Sequence, residues 1–184
     1  MRNLDGALSV SARSRPPGAA ARASAMLASP WAAIVEGLAT AVALRASGRP
    51  GLPAALAAPS ALMVGNALKR LIARPRPGLA RFARKGRESF PSTHVAGPLA
   101  VLACVWCLAP RTMGWRAALG LGAAVTVVAA RERVCAGEHR ASDVVAGAAL
   151  GAAIGIAVGR LALARARQRT SDGSRDRVAQ EPAP

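Results

Sequence analysis

Apolar residues fall in five blocks separated by short, arginine-rich polar connections, and that pattern predicts five helices. The blocks run from about Ala25 to Leu44, Leu52 to Ala73, Val95 to Ala109, Ala117 to Ala130 and Val144 to Ala164. Their interruptions are few: Glu36 in the first, Asn66 and the pair Lys69-Arg70 in the second, and Arg160 near the end of the fifth. A perpendicular bilayer crossing takes about 20 apolar residues. Several blocks are shorter than that, and they cross if flanking arginines snorkel, if Trp31, Trp106 and Trp115 anchor at the interfaces, and if small side chains let the helices bundle tightly. The expected fold class is therefore all-α: a polytopic transmembrane helix bundle of about five spans.

The fifth block carries Gly147, Gly151, Gly155 and Gly159 at strict i, i+4 spacing, which puts all four on one helix face. Only hydrogen projects from that face, so a second helix can approach it closely, in the small-xxx-small manner. We read the stripe as packing, with no ligand-binding role. Residues 1–24 scatter Arg2, Arg13, Arg15 and Arg22 among Ser, Ala, Gly and Pro, and residues 165–184 open with Arg165, Arg167 and Arg169 before turning polar. Both ends read as disordered basic tails flanking a membrane domain over residues 25–164.

Composition narrows the partners. The 184-residue chain is 52% hydrophobic but only 3% aromatic, with no tyrosine, and its formal net charge is +16. A charge of that size suggests nucleic acid, but a nucleic-acid binder carries its cations on a soluble face with aromatic side chains for stacking. Here the cations lie between or beside apolar blocks. That placement excludes nucleic acid in favour of a membrane, anionic headgroups and a phosphate-bearing substrate. Arg81, Arg84, Lys85 and Arg87, between the second and third blocks, read as a solvated basic loop attracting such headgroups. Cys104 and Cys107 have Cys-x-x-Cys spacing but no second pair, and they lie inside an apolar block. They read as small packing residues, with neither metal nor redox chemistry.

The chain has two histidines, and each stands in a polar stretch that opens directly onto an apolar block. His94 ends Pro91-Ser92-Thr93-His94. His139 lies within Arg133-Val-Cys-Ala-Gly-Glu-His-Arg-Ala-Ser-Asp143. Ionisable groups at the mouth of a membrane helix are costly and raise the question of function. Two crossings return a chain to its starting face, so the second-to-third and fourth-to-fifth connections emerge on the same side. Lys69, Arg76, His94, Arg133, His139 and Asp143 can therefore converge there. Such a set holds the parts for phosphoryl transfer to an imidazole: cations for the phosphate oxygens, one histidine to attack and one to protonate the leaving oxygen. Asp143, four residues after His139, is placed to accept the imidazole N–H and fix its tautomer. Ser142 is a candidate cap for the fifth helix.

These residues resemble a known family. Lys69, six residues and Arg76-Pro77; Pro91-Ser92-Thr93-His94; and Arg133, five residues, His139, three residues and Asp143 look like the three signature motifs of the type 2 phosphatidic acid phosphatase superfamily. Arg74-Pro75 is also present, but only Arg76-Pro77 keeps the family interval from Lys69. The resemblance implies a metal-independent lipid phosphatase, needing no cofactor. His139 would be the nucleophile forming a phosphohistidine, Asp143 its orienting partner and His94 the general acid. Lys69, Arg76 and Arg133 would bind phosphate with Ser92 and the backbone N–H of Thr93. The sequence departs from the pattern twice. Thr93 stands where glycine is usual, narrowing the phosphate pocket or adding a hydroxyl donor, and Glu132 stands where serine is usual, adding a negative charge that Arg131 or Arg140 would have to neutralise.

The implied substrate is a lipid phosphate or diphosphate: phosphatidic acid, phosphatidylglycerol phosphate, a polyprenyl diphosphate or a polyprenyl-linked sugar phosphate. The basic tail after the fifth block and the connections holding Arg45, Arg49, Arg111 and Arg116 would then be cytoplasmic, placing the site on the outer face of a bacterial plasma membrane. Two readings of other classes use the same residues: a membrane haem protein with His94 and His139 as axial ligands, and a non-catalytic basic protein that binds lipid. The haem reading leaves the surrounding cations and the aspartate at i+4 without a role. Haloperoxidases that use vanadium share the motifs but are soluble and larger, and five apolar blocks argue against that activity.

Overall fold

The computed structural model describes residues 26–77 and 88–179, with positions 19 and 23; for 170–179 only the helical backbone is described. The basic loop 81–87 and most of the N-terminal tail lie outside the described residues, as do residues 180–184. Among the described residues five helices follow in order: α1 (Pro30–Ala46), α2 (Leu52–Ile72), α3 (Thr93–Leu108), α4 (Met113–Cys135) and α5 (Ala141–Ala179). Each expected block lies on one of them, and among the described residues there is no strand, only a single antiparallel bridge between Pro75 and Glu88.

Helix boundaries follow local chemistry. α1 starts at Pro30, whose fixed φ suits the first turn, and Ser29 caps it by accepting a hydrogen bond from Ala32 N–H at 3.1 Å. α2 ends as Ala73 turns left-handed (φ 47°), just before the Arg74-Pro75 pair. α4 is longer than its apolar block: Arg131, Glu132 and Arg133 are good helix formers and extend it to Cys135. Arg133 is therefore a last-turn helical residue and not part of a loop. α5 likewise continues beyond Ala164, and its backbone stays helical to Ala179 where disorder was expected from residue 165. Alanine and arginine alternate across 164–167, and both are good helix formers, so nothing there stops the helix.

α3 is the axis of the bundle. It packs against all four other helices, most extensively α5, whereas α4 packs chiefly against α3. The glycine stripe of α5 lies on α3 as the spacing predicts. A β-carbon on Gly147, Gly151 or Gly155 would fall far inside contact distance of the backbone carbonyls of Ser92, Ala96 and Ala100, respectively. On Gly159 it would come within 2.9 Å of Cys107 Cβ. Alanines supply much of the remaining core, including Ala33, Ala54, Ala57, Ala61, Ala96 and Ala100, all at 0% exposure. Cys104 is buried in that core and Cys107 packs against it, as small residues do.

Large apolar side chains instead face outward, among them Trp31, Val42, Met63, Trp106, Leu121 and Val145. An apolar exterior around a core of small residues is what a lipid surround favours. α4 and residues Ala141–Arg169 of α5 are long and apolar enough to cross a bilayer, and α3 is a shorter apolar helix. Trp31 and Trp106 lie on the outside, while Trp115 packs against the core. The alternation of helix directions brings the end of α2, the start of α3, the end of α4 and the start of α5 to one end of the bundle.

Candidate active site

At that end the two connecting segments lock together. Ser89 donates its backbone N–H to Arg74 O at 2.8 Å, and its hydroxyl reaches Arg74 O at 3.2 Å. Arg140 Nη1 donates to Pro75 O at 3.2 Å, and Arg76 Nη1 donates to Glu138 O at 3.2 Å. Ser92 N–H donates to Asp143 O at 3.0 Å. Residues 74–76, 88–92 and 138–143 are thus held in register by backbone carbonyls. Fixed carbonyls aim the side chains between them more precisely than free loops would.

All eight side chains expected from the sequence come to this end. His139 and Asp143 are buried at 1% and 0% exposure, and Ser92 and Thr93 are buried beside them. The rings of His94 and His139 face each other edge to face, with centroids 6.1 Å apart. His139 Nδ1 lies 2.9 Å from Ser89 O, a carbonyl that can only accept. That contact puts the proton on Nδ1 and leaves the Nε2 lone pair bare. Nε2 is buried and bonded to no protein group, as are His94 Nδ1 and Ser92 Oγ. Burial pushes the His139 imidazole below its ordinary value; Asp143 opposes that shift, and Arg76 and Lys69 reinforce it.

The structure corrects the expected role of Asp143. Its Oδ2 is 3.9 Å from His139 Nδ1, too far for a hydrogen bond, so Ser89 O and not the carboxylate accepts the imidazole proton. Asp143 instead accepts from Arg74 Nη1 at 2.9 Å and from the backbone N–H of Arg140 at 2.8 Å. The second bond is half of a capping box, with Arg140 as N-cap and Asp143 at N3 of α5. Ser142 is therefore not the cap; it lies within α5, and its hydroxyl accepts from Arg74 Nη1 at 2.9 Å. The carboxylate still stands behind the imidazole, close enough to favour a positive charge there.

Both departures from the motif pattern resolve locally. Thr93 Oγ1 accepts from Lys69 Nζ at 3.2 Å, so the added hydroxyl ties the ammonium to the start of α3. Room for the threonine methyl comes from Gly65 on α2, where a β-carbon would stand 3.0 Å from Thr93 Cγ2. Glu132 is paired with Arg131 at 3.3 Å on the outside of α4.

Three participants were missed. Ser89 precedes the second motif and acts mainly through its carbonyl, which no side-chain pattern reveals. Arg74 was set aside in favour of Arg76 on spacing. Glu138, immediately before His139, is buried at 7% exposure with its carboxylate on Arg133 Nη1, and an acid adjoining a histidine was a readable signal. Among the described residues, no group of three or more His, Cys, Asp or Glu side chains is arranged to hold a metal ion.

Comparison with known proteins agrees with this geometry. No curated protein matches the chain. Among solved structures, the crystal structure of the first transmembrane PAP2 type phosphatidylglycerolphosphate phosphatase from Bacillus subtilis superposes with a TM-score of 0.69. The two are 23% identical, and the match covers 87% of this chain and 85% of that one, which establishes a common fold. The PAP2 superfamily model matches residues 50–167, well over half the chain and all three motifs. The chain is a membrane protein of the PAP2 superfamily.

Proposed function

We propose that this protein hydrolyses a lipid phosphate through a phosphohistidine on His139. Family membership supports lipid phosphatase chemistry, and the observation that carries the mechanism is the state of one imidazole. Its Nδ1 is committed to Ser89 O, while its Nε2 is buried and bonded to no protein group. A neutral, oriented and desolvated nitrogen with a bare lone pair is a competent nucleophile.

In the first step the His139 Nε2 lone pair attacks phosphorus and the P–O bond to the lipid breaks. The departing oxygen takes a proton from His94, whose charged form is favoured once the phosphate anion binds beside it. Lys69, Arg76 and Arg133 neutralise the phosphoryl oxygens, assisted by Ser92 Oγ and by Thr93 N–H, which at the first position of α3 has no intrahelical acceptor. Asp143 stabilises the cationic phosphoimidazole across 3.9 Å, while Ser89 O continues to accept from Nδ1. Water then attacks phosphorus, gives its proton to His94, and the P–N bond breaks to release phosphate and restore His139. The lipid tail stays in the bilayer throughout, with the site on the outer face of a bacterial plasma membrane.

The test is phosphate release in detergent with EDTA present. The panel is phosphatidic acid, phosphatidylglycerol phosphate, a polyprenyl diphosphate and a polyprenyl-linked sugar phosphate. Wild type releases phosphate from at least one, and His139→Ala loses about 10⁴-fold or more of that rate. A need for added divalent metal, or a His139→Ala rate near wild type, would sink the mechanism.

A further inference from the structure

The geometry points to a seat for the substrate's hydrocarbon chain: a cleft between α4 and α5, floored by Leu99 of α3, that leads from the phosphate site into the bilayer. The inference rests on the phosphatase reading above.

α4 and α5 are joined by residues 136–140 alone, yet they pack little against each other, and each rests on α3 instead. Contacts on α3 identify the two sides. Leu102 lies against Gly122 of α4, where a β-carbon would stand 2.8 Å from Leu102 Cδ2, and Ala103 and Cys107 lie against Gly155 and Gly159 of α5. Residues three and four apart are neighbours on a helix surface, so Leu99 and Trp106 fall between the α4 side and the α5 side. Exposure agrees, because Trp106 is 71% exposed and Leu99 is half-buried, while the far side of α3 is shut. There Gly97 lies against Ala33 of α1 and Leu62 of α2, and Val101 lies against Gly37 of α1.

The strip leads to the site. Ser92 stands seven residues before Leu99, about two turns and so on the same face, and its buried hydroxyl is bonded to no protein group. Val95, between them, is buried at 3% exposure, so the open floor starts at Leu99. Helical side chains lean toward the helix N-terminus, which turns Leu99 toward the catalytic end. The walls of the cleft also meet at that end, where the 136–140 turn carries His139. Lengths fit one leaflet. Leu99 lies ~10 Å and Trp106 ~21 Å below Ser92 along the axis, and half the hydrocarbon core of a bilayer is ~15 Å thick. An acyl chain anchored by its phosphate therefore passes Leu99 and ends short of Trp106. Surrounding lipid is as apolar as the cleft, so the chain is held by close packing and not by escape from water. The cleft selects by shape, and filling it is the test.

The experiment uses full-length protein in detergent and whichever of the four lipid phosphates named above wild type cleaves fastest, with orthovanadate as a chainless phosphate analogue. Leu99→Trp fills the cleft just below the site. It raises KM for the lipid about tenfold or more, the usual scale of overpacking, and leaves the inhibition constant of orthovanadate within about threefold of wild type. Met63→Trp, on the exposed side of α2, changes neither. If Leu99→Trp weakens lipid and orthovanadate alike, Leu99 supports the phosphate pocket and the inference is overturned. If it weakens neither, the chain runs elsewhere and the inference is overturned too. Should Leu99→Trp run smaller than wild type by size exclusion with KM unchanged, the cleft is an interface between copies of the chain, which also refutes it. Where the variant does not fold, a phosphatidic acid with a mid-chain diazirine is photo-cross-linked to wild type. Adducts on 99–106 or the flanking helices α4 and α5 support the cleft, and adducts confined to α1 and α2 refute it. Failure of the phosphatase reading looks different, since wild type would then release phosphate from none of the four lipids while the cross-link still locates the chain.

Discussion

The two ends of α3 obey opposite rules. Along its length it meets α5 across Gly147, Gly151, Gly155 and Gly159, where fit comes from missing atoms and backbone lies on backbone. In its first turn it meets the residues around His139, where fit comes from atoms that must be present: Lys69 on Thr93, Asp143 O on Ser92 N–H, Ser89 O on the imidazole. A seam of small residues is intolerant of addition, and a polar site is intolerant of subtraction. Substitutions in the two regions should therefore fail in different measurements.

The largest separation is expected deep in the seam. Gly155→Leu forces a side chain into the Ala100 carbonyl and parts α3 from α5, costing about 3 kcal/mol or more. Little folded protein should survive extraction, by size-exclusion profile and thermal unfolding in detergent; a well-folded Gly155→Leu would mean the helices do not meet as described. At the site, Arg74→Met removes the ion pair between Arg74 and Asp143 and unsettles the group behind the proposed nucleophile. The expectation is a kcat loss of about 100-fold with KM within about threefold, and partial recovery in Arg74→Lys. An equal change in KM would make Arg74 a phosphate ligand instead.

A smaller effect belongs to Thr93. Thr93→Val keeps the shape against Gly65 but removes the acceptor for Lys69, and a hydrogen bond to a charged group is worth about a tenfold change. KM should rise by that factor while Thr93→Ser stays near wild type. The subtlest test changes no residue. His139 titrates below its ordinary value of 6.5, so its folded form binds fewer protons than the unfolded chain just under that pH. Its stabilising contribution is complete above pH 6.5 and is lost as pH falls through the lowered value. Nitrogen chemical shifts of labelled histidine should report neutral His139 at pH 6.5 with the proton on Nδ1. A half-protonated ring there would place the site in a wetter setting than the structure shows.

The same contrast explains what was legible in the sequence. The seam repeats one residue type at one interval on one helix, so four glycines announced it without knowledge of the partner. The five helices were equally legible from apolar blocks, although the blocks understated α4 and α5 because arginine and glutamate extend helices without being apolar. The site's main side chains were readable because each motif is short and local. Its hydrogen bonds were not, because they join positions up to 69 residues apart: Arg74 to Asp143, Arg76 to Glu138, Ser89 to His139. Ser89 acts through a group every residue possesses, and Asp143 was given the commonest partner for a carboxylate at i+4 when a cation from another segment had taken it.

Gly147 stands where the two rules touch. It lies against the backbone of Ser92, and the same Ser92 donates its N–H to the carbonyl of Asp143. The first step of the seam thus grips the turn proposed to receive phosphate, with no intervening layer to absorb movement. A change in the spacing of α3 and α5 would therefore be felt first at the proposed reaction centre.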